Sequence, residues 1–448
     1  MARSSGGLRR IVAAPLTWHV ASLALGLVFI LALQRSQWFF FDEWAFLKVG
    51  GPGYFEPHVG HWSTMPMLVF HLFRDVLGLG SYMPFAVAVT LTHLAVAHLV
   101  WRIALRARAN PWIATAAVAV LVFLGSGGEN ILWGFQVGFL GAFALGLLAF
   151  LLADARELRA GRLAAIIGVS VFSLAWSGTA IPLVVATSAL VWHRTGWRKA
   201  AIHAGTCAAV YAAWYLVFAA GNPNNPDTGG LGLEKLFIRI PQFLGVMLLL
   251  GWDSVFPFVG IGVAVLVALL VWLIVMWRRR ERLEGFSLAL ILLGAAILFA
   301  FMAAYSRAEW SIGAGRSSRY IYVLVALLLP LCAVALTRLV RQRRRWLVGV
   351  CAALVGLAAF QAWTLLHEAD RQAALEARSR ALISAALSLY LHNPDAVDSL
   401  AQPDAEWAPD VTLGDVVALF ERGSLPLSEF SPAHLEEARD IVRTGGGE

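Results

Sequence analysis

Two acidic residues stand side by side in an aromatic run, Phe39-Phe40-Phe41-Asp42-Glu43-Trp44, and a His-x-x-His follows in Glu56-Pro57-His58-Val59-Gly60-His61-Trp62. A carboxylate held among rings that exclude water can act as a general base or hold a metal ion. The plainer use of Asp42 and Glu43 is to start a loop helix, where negative charge meets the positive end of the helix dipole. His58 and His61 can share a face, and hydrogen bonding or donation to a phosphate suits them better than metal ligation. A second group, Gly127-Gly128-Glu129-Asn130 with Trp133 and Gln136, offers donors, acceptors and a ring face. That is the wall a hydroxylated ligand such as a sugar needs, although polar residues at a turn are ordinary turn chemistry. A third group runs Tyr305-Ser306-Arg307, then Arg316-Ser317-Ser318-Arg319-Tyr320-Ile321-Tyr322. Guanidinium forks pair bidentately with phosphate, and serines at a helix start expose backbone N–H groups to an anion. Such arginines can also anchor to lipid headgroups, but their density favours a lipid-phosphate site.

The elements that must position these groups are membrane helices. The 448 residues are 59% hydrophobic and 14% charged, against about 25% charged in soluble domains, which excludes a soluble globular enzyme. Apolar runs of about 15 to 25 residues match the roughly 30 Å of hydrocarbon a helix must cross. No alternating ten-residue pattern of a membrane barrel occurs, so helices remain. Eleven spans are predicted, at about 13–33, 83–105, 112–126, 131–152, 163–177, 179–193, 200–220, 254–277, 286–304, 319–339 and 346–366. Arg3, Arg9 and Arg10 precede the first span, and Arg clusters fill every even-numbered connection, which puts the N-terminus in the cytoplasm. An odd span count then puts the C-terminal tail outside. The stretches 62–77 and 233–250 read as amphipathic helices on the outer face.

The formal charge of +7 is divided unevenly: the last 82 residues hold six Lys+Arg against fifteen Asp+Glu. The basic residues sit in bursts between apolar runs, where they orient helices, so the high pI does not point to nucleic acid. Cys207, Cys332 and Cys351 lie inside predicted spans and read as packing residues. No Walker loop, dinucleotide fingerprint or CxxC occurs, which argues against an ATP-driven pump or a redox carrier. The chain divides into a membrane domain at 1–366, with a long first outer loop at 34–82, and a helical extracytoplasmic tail at 367–448. The tail is small enough to dock on the membrane domain rather than fold alone.

An acidic pair just after the first span, a long outer loop with a His-x-x-His and amphipathic helices, and a late Arg-rich outer loop ending in Arg-Tyr together resemble the GT-C superfamily of membrane glycosyltransferases. The resemblance implies an all-α polytopic fold and a sugar donor carried on polyprenyl phosphate. It places the catalytic acid of the first loop on Asp42, with Glu43 as its acidic neighbour, so that Asp42 deprotonates an acceptor hydroxyl. It places the donor phosphate on Arg316 and Arg319, with Arg307 and His61 beside them. His58, Trp62, Glu129, Asn130, Trp133, Gln136 and Tyr320 complete the expected substrate-binding set. The sequence lacks an Asp-x-Asp pair, so a divalent metal is not favoured and no cofactor is certain. The acceptor is a glycan, a lipid or a protein, and membrane lipids are the surroundings. Richness in Ala, Gly, Trp and Arg with three Lys points to a high-GC genome and a bacterial plasma membrane. The alternative is a transporter or flippase of a lipid-linked or small anionic substrate, for which His93, His98 and the Gly178/Pro182 break are the candidate features.

Overall fold

The computed structural model describes residues 14–223, 225, 230, 232–279, 286–340 and 343–443. Arg3, Arg9 and Arg10, which entered the charge argument, lie outside the described residues, as do Arg280, Arg282 and Arg341 of the Arg clusters in the even-numbered connections. The described residues are helical almost throughout, with one two-stranded hairpin in the loop after the first helix.

After α1 (Pro15–Leu33), the first loop carries α2 (Glu43–Leu47), strands β1 (Pro57–His58) and β2 (His61–Trp62), and α3 (Thr64–Leu77). Then follow α4 (Met83–Arg106), α5 (Pro111–Val122), α6 (Gly128–Leu132), α7 (Val137–Ala153), α8 (Ala160–Leu174), α9 (Ile181–Thr195) and α10 (Trp197–Trp214). The second half comprises α11 (Lys235–Val255), α12 (Ile261–Arg278), α13 (Ser287–Arg307), α14 (Ser318–Val340) and α15 (Arg344–His392). Two short helices, α16 (Leu413–Glu421) and α17 (Pro432–Val442), close the tail. Local chemistry sets several starts: Asn110 accepts from the Trp112 N–H at 2.9 Å ahead of Pro111, and Thr412 with Asp415 forms a capping box on α16.

Among the described residues, nine helices are long and apolar enough to cross a membrane, or ten if the bent pair α5–α6 is one span. The eleven predicted spans differ from this at identifiable places. The third span breaks by 54° where Gly125 and Gly127 interrupt it. The fifth and sixth, α8 and α9, have 15 residues each, about 22 Å at 1.5 Å per residue, and are short for a crossing.

The remaining difference is α11, which has the length and hydropathy of a span but lies along one end of the bundle. Lys235 sits 4.4 Å over the Tyr305 ring, and Arg239 stands 3.6 Å from Glu309. At the other end of α11, Ser126 Oγ donates to the Ser254 carbonyl and Gln361 Nε2 to the Val255 carbonyl. A helix threading the bilayer would meet opposite ends of its neighbours; α11 meets only one.

The basic connections gather at the opposite end. Asp154 takes Arg194 at 2.9 Å and Arg106 at 3.5 Å, joining the ends of α7, α9 and α4. Lys199 donates to the Leu158 carbonyl, and the Asn110 N–H donates to Thr337 at the end of α14. The chain is thus a multi-pass membrane protein with two chemically distinct ends.

The proposed boundary at 366/367 falls inside α15, one continuous helix of 49 residues. The tail shares a hydrophobic core with the first loop: Phe39, Trp44 and Phe46 of the loop, with Phe85 of α4, pack in one cluster with Ile383, Leu387, Leu413 and Val416.

Candidate active site

The first loop is tied down before it reaches Asp42. Gln37 Nε2 donates to the Ala369 carbonyl at 2.9 Å, and the Trp38 N–H donates to Glu376 at 2.5 Å, both on α15. The next residues diverge in role. Glu43 is completely buried and points away from solvent, accepting from the Phe40 N–H at 3.0 Å, the Tyr82 hydroxyl at 2.9 Å and the Phe135 N–H at 3.1 Å. Burial pushes its pKa well above the ordinary carboxylate range. Glu43 therefore holds the loop together, and only Asp42 of the acidic pair lines the cavity.

Gly134 is what permits that arrangement: a Cβ there would stand 2.8 Å from Glu43 Oε1 and 2.9 Å from the Tyr82 hydroxyl. Gly134→Ala is expected to lower stability by about 2 kcal/mol by separating these buried partners, read as a lower midpoint of thermal unfolding in lipid. An unchanged midpoint would mean that the Glu43 network bears no weight.

The two histidines meet through a hairpin. His58 pairs with His61 across β1 and β2, and the turn between them is Val59 at φ +48° and Gly60 at φ +81°, the sign pattern of a type I′ turn. Directly opposed residues project to the same side, so both rings reach the cavity. A β-branched residue at positive φ is a strained conformation, and such strain concentrates at functional sites. His58 Nε2 is buried without a hydrogen-bond partner and lies 3.4 Å from Asp42 Oδ1. Nature's small residue here is Gly178, whose absent side chain leaves room for His61: a Cβ would fall 2.9 Å from His61 Nδ1.

Burial, and after it the charge of Arg307, pulls the pKa of His61 down to about 4. His61 is thus neutral at pH 7 and meets a ligand as a hydrogen-bonding group. Because its folded pKa lies below the usual 6.5, its contribution to stability is complete above pH 6.5 and is lost as pH falls toward 4. His61→Gln is expected to flatten that part of the unfolding profile between pH 7 and 4.5; an unaltered profile would show that His61 keeps an ordinary pKa.

Arg307 and Arg319 line the same cavity as Asp42 and His61. Arg307 stacks 4.3 Å from the Trp310 ring at the end of α13. Arg319, in the first turn of α14, stands 3.6 Å from Glu129 Oε2 and its buried Nε has no hydrogen-bond partner. Its backbone N–H donates to the same carboxylate at 3.3 Å, and Ser318 Oγ accepts from the Glu129 N–H. Among the described residues no group of three or more His, Cys, Asp or Glu is arranged to hold a metal ion.

The cavity has a volume of about 610 Å³ and a lining of two kinds. One part of the lining is polar, with Asp42, His58, His61, Arg307 and Arg319; the other is apolar, with Phe139 of α7, Ile181 and Pro182 of α9, and Phe299 and Met302 of α13. Phe301, in the same wall, is 42% exposed on the apolar flank of the bundle. Tyr320 and Gln136 also line it.

The other expected residues sit elsewhere. Arg316 is exposed at the end of a 3₁₀ turn and is not part of the lining. Trp62 is buried, donates to Thr64 and stacks 5.3 Å from Trp214. Trp133 is 5% exposed and packed between Phe40 and Phe135, so it offers no free ring face. Asn130 is buried and donates to Gln136 at 3.4 Å. Conversely, Ser177, Thr179, Tyr211 and Trp310 line the cavity without having been singled out for this chemistry. The break between two short apolar helices at Ser177-Gly178-Thr179 is the sequence signal that marks the first two.

No family model and no curated protein matches the sequence. Among solved structures, the chain is similar to ArnT from Cupriavidus metallidurans bound to undecaprenyl phosphate, with TM-score 0.54 and 16% identity over 96% of this chain and 88% of that one. It is similar to the apo state of the same protein with TM-score 0.50 and 16% identity, over 84% and 81% of the two chains. At the level of fold, the chain therefore shares the architecture of ArnT, in keeping with the polytopic helical arrangement read from the sequence.

Proposed function

We propose that this protein is a membrane glycosyltransferase that moves a sugar from a polyprenyl-phosphate donor to an acceptor hydroxyl on the extracytoplasmic face. The observation that carries this reading is one cavity lined by a carboxylate, two arginines and a set of apolar side chains. A lipid phosphate pairs the same two characters: an anionic head for Arg307 and Arg319, and a hydrocarbon chain for the apolar side chains of α7, α9 and α13. The ArnT structure of like fold is described as bound to undecaprenyl phosphate, which supports the same donor class here.

In the reaction the acceptor oxygen attacks the anomeric carbon, its proton passes to Asp42, and the carbon–oxygen bond to phosphate breaks with the electron pair leaving on the polyprenyl phosphate. Charge grows on the departing phosphate, so fixed guanidinium groups at that point stabilise the transition state more than the ground state. His58 orients Asp42, and neutral His61 hydrogen-bonds the donor head. The positive-inside rule assigns the Arg-rich end to the cytoplasm and the cavity to the outside, in keeping with a bacterial plasma membrane.

The features that suggested a transporter find other uses. His93 meets the Tyr322 hydroxyl and the Val122 carbonyl, His98 pairs with His19, and the Gly178/Pro182 break forms part of this same cavity. The test is a panel of polyprenyl-phosphate sugars offered to the protein in lipid nanodiscs, with release of polyprenyl phosphate as readout. Saturable binding with turnover is expected. No binding by any donor that a known transferase accepts would overturn the reading.

A further inference from the structure

The backbone immediately before Asp42 is strained, and the tail is what holds it. Phe41 has φ +48°, a left-handed conformation that costs an aromatic residue on the order of 1–3 kcal/mol and persists only where its surroundings impose it. The Asp42 side chain makes no capping bond to α2, so its carboxylate is placed by the backbone at Phe41 together with His58, whose Nε2 lies 3.4 Å away. The Phe41 N–H donates to the carbonyl of Trp407 at 2.7 Å, and the Phe41 ring meets the Trp407 ring edge-on at 5.4 Å.

Trp407 is itself presented by a built turn. Asp404 is 5% exposed, and its Oδ1 accepts from the backbone N–H groups of Glu406 and Trp407, each at 3.2 Å. Three residues on, the Asp410 carbonyl accepts from Lys48 Nζ at 3.1 Å, at the far end of α2. The segment 407–410 thus grips both ends of the short stretch that carries Asp42, across more than 360 residues of chain.

We infer that the C-terminal tail is a working part of the active site, with Trp407 as a positioning residue that holds Phe41 in its left-handed conformation and thereby aims the Asp42 carboxylate at the acceptor. The inference deepens the glycosyltransferase reading and rests on it for the part that concerns turnover. The tail would otherwise be needed only for stability, and the two roles separate experimentally. A misplacement of about 1 Å at a reacting group can cost about 10²-fold in rate. Packing lost elsewhere in the tail lowers stability without moving Asp42.

The full chain in nanodiscs is compared with Trp407→Ala, Trp407→Phe and Val416→Ala, the last removing packing from the tail core at a residue that is fully buried in α16. Hydrogen exchange of the peptide spanning 38–47 reads the clamp without reference to activity. Trp407→Ala is expected to speed exchange at Phe41 about tenfold or more, whereas Val416→Ala leaves it within about twofold. In turnover, Trp407→Ala is expected to lower kcat about tenfold or more with KM for the donor unchanged, and Trp407→Phe to restore most of it by keeping a ring against Phe41. Unchanged exchange in Trp407→Ala overturns the inference whether or not the protein is active. So does a fall in kcat that Val416→Ala reproduces at equal loss of thermal stability, or accelerated exchange with kcat unchanged. If the parent itself turns over no donor, the glycosyltransferase reading fails, and the exchange measurement still decides the clamp.

Discussion

Asp42→Asn is expected to lower sugar transfer by about 10²- to 10⁴-fold while leaving donor binding within about twofold of the parent. The amide keeps the volume of the carboxylate but cannot accept a proton, and general-base catalysis is worth a factor of that size. Asp42 is the one member of the acidic pair that lines the cavity, with His58 Nε2 at 3.4 Å. Its neighbour provides the control. Glu43 is sealed among Phe40, Tyr82 and Phe135, so Glu43→Gln is expected to change stability far more than the chemical step. Steady-state turnover beside equilibrium donor binding on both variants checks the assignment. If Asp42→Asn turns over like the parent, another group takes the proton and Asp42 is a loop residue.

Arg319→Ala is expected to weaken donor binding and to lower turnover by about 10²- to 10³-fold, the range seen when a preorganised electrostatic donor is removed. Arg319 lines the cavity and its side chain is open in part to solvent, so a ligand oxygen can meet its guanidinium there. Its ion pair with Glu129 at 3.6 Å is about one-third exposed on both sides, which makes the pair weak and easily exchanged for a phosphate. The loss should therefore greatly exceed that of Glu129→Gln. Arg319→Lys should recover only part of it, because an ammonium lacks the planar fork that meets two phosphate oxygens. Arg316→Ala provides the contrast, since Arg316 lies exposed outside the lining; its removal should be nearly silent. Equal losses from Arg316→Ala and Arg319→Ala would mean that the phosphate site is a diffuse basic surface.

The three polar groups singled out in the sequence converge on one end of the bundle, yet the identity of the working residue within each was decided by packing. Asp42 and Glu43 are adjacent and chemically alike; burial behind Tyr82 turned one into a structural anchor and left the other at the cavity. Arg316 and Arg319 are three residues apart, and the turn at Ile312–Arg316 directs only the second inward. Trp133 has the composition of a sugar platform, but Phe40 and Phe135 cover its faces. His58 and His61 do share a face, through a β-hairpin rather than a helix.

Hydropathy and charge spacing are properties of consecutive residues, and they alone determined that this chain is a polytopic helical membrane protein with its basic connections at one end. Runs short or broken for a span, at 163–193, and an amphipathic stretch that has the length and hydropathy of a span, at 233–250, marked the limit of that reasoning. Whether such a segment crosses depends on what its sides and ends touch. Only the tertiary structure decided which side chains face the cavity, that the tail shares a core with the first loop, and that Trp407 reaches back to Phe41. These are contacts between residues hundreds of positions apart, and no local pattern encodes them because their energy comes from burial and hydrogen bonding that exist only once the chain has closed on itself.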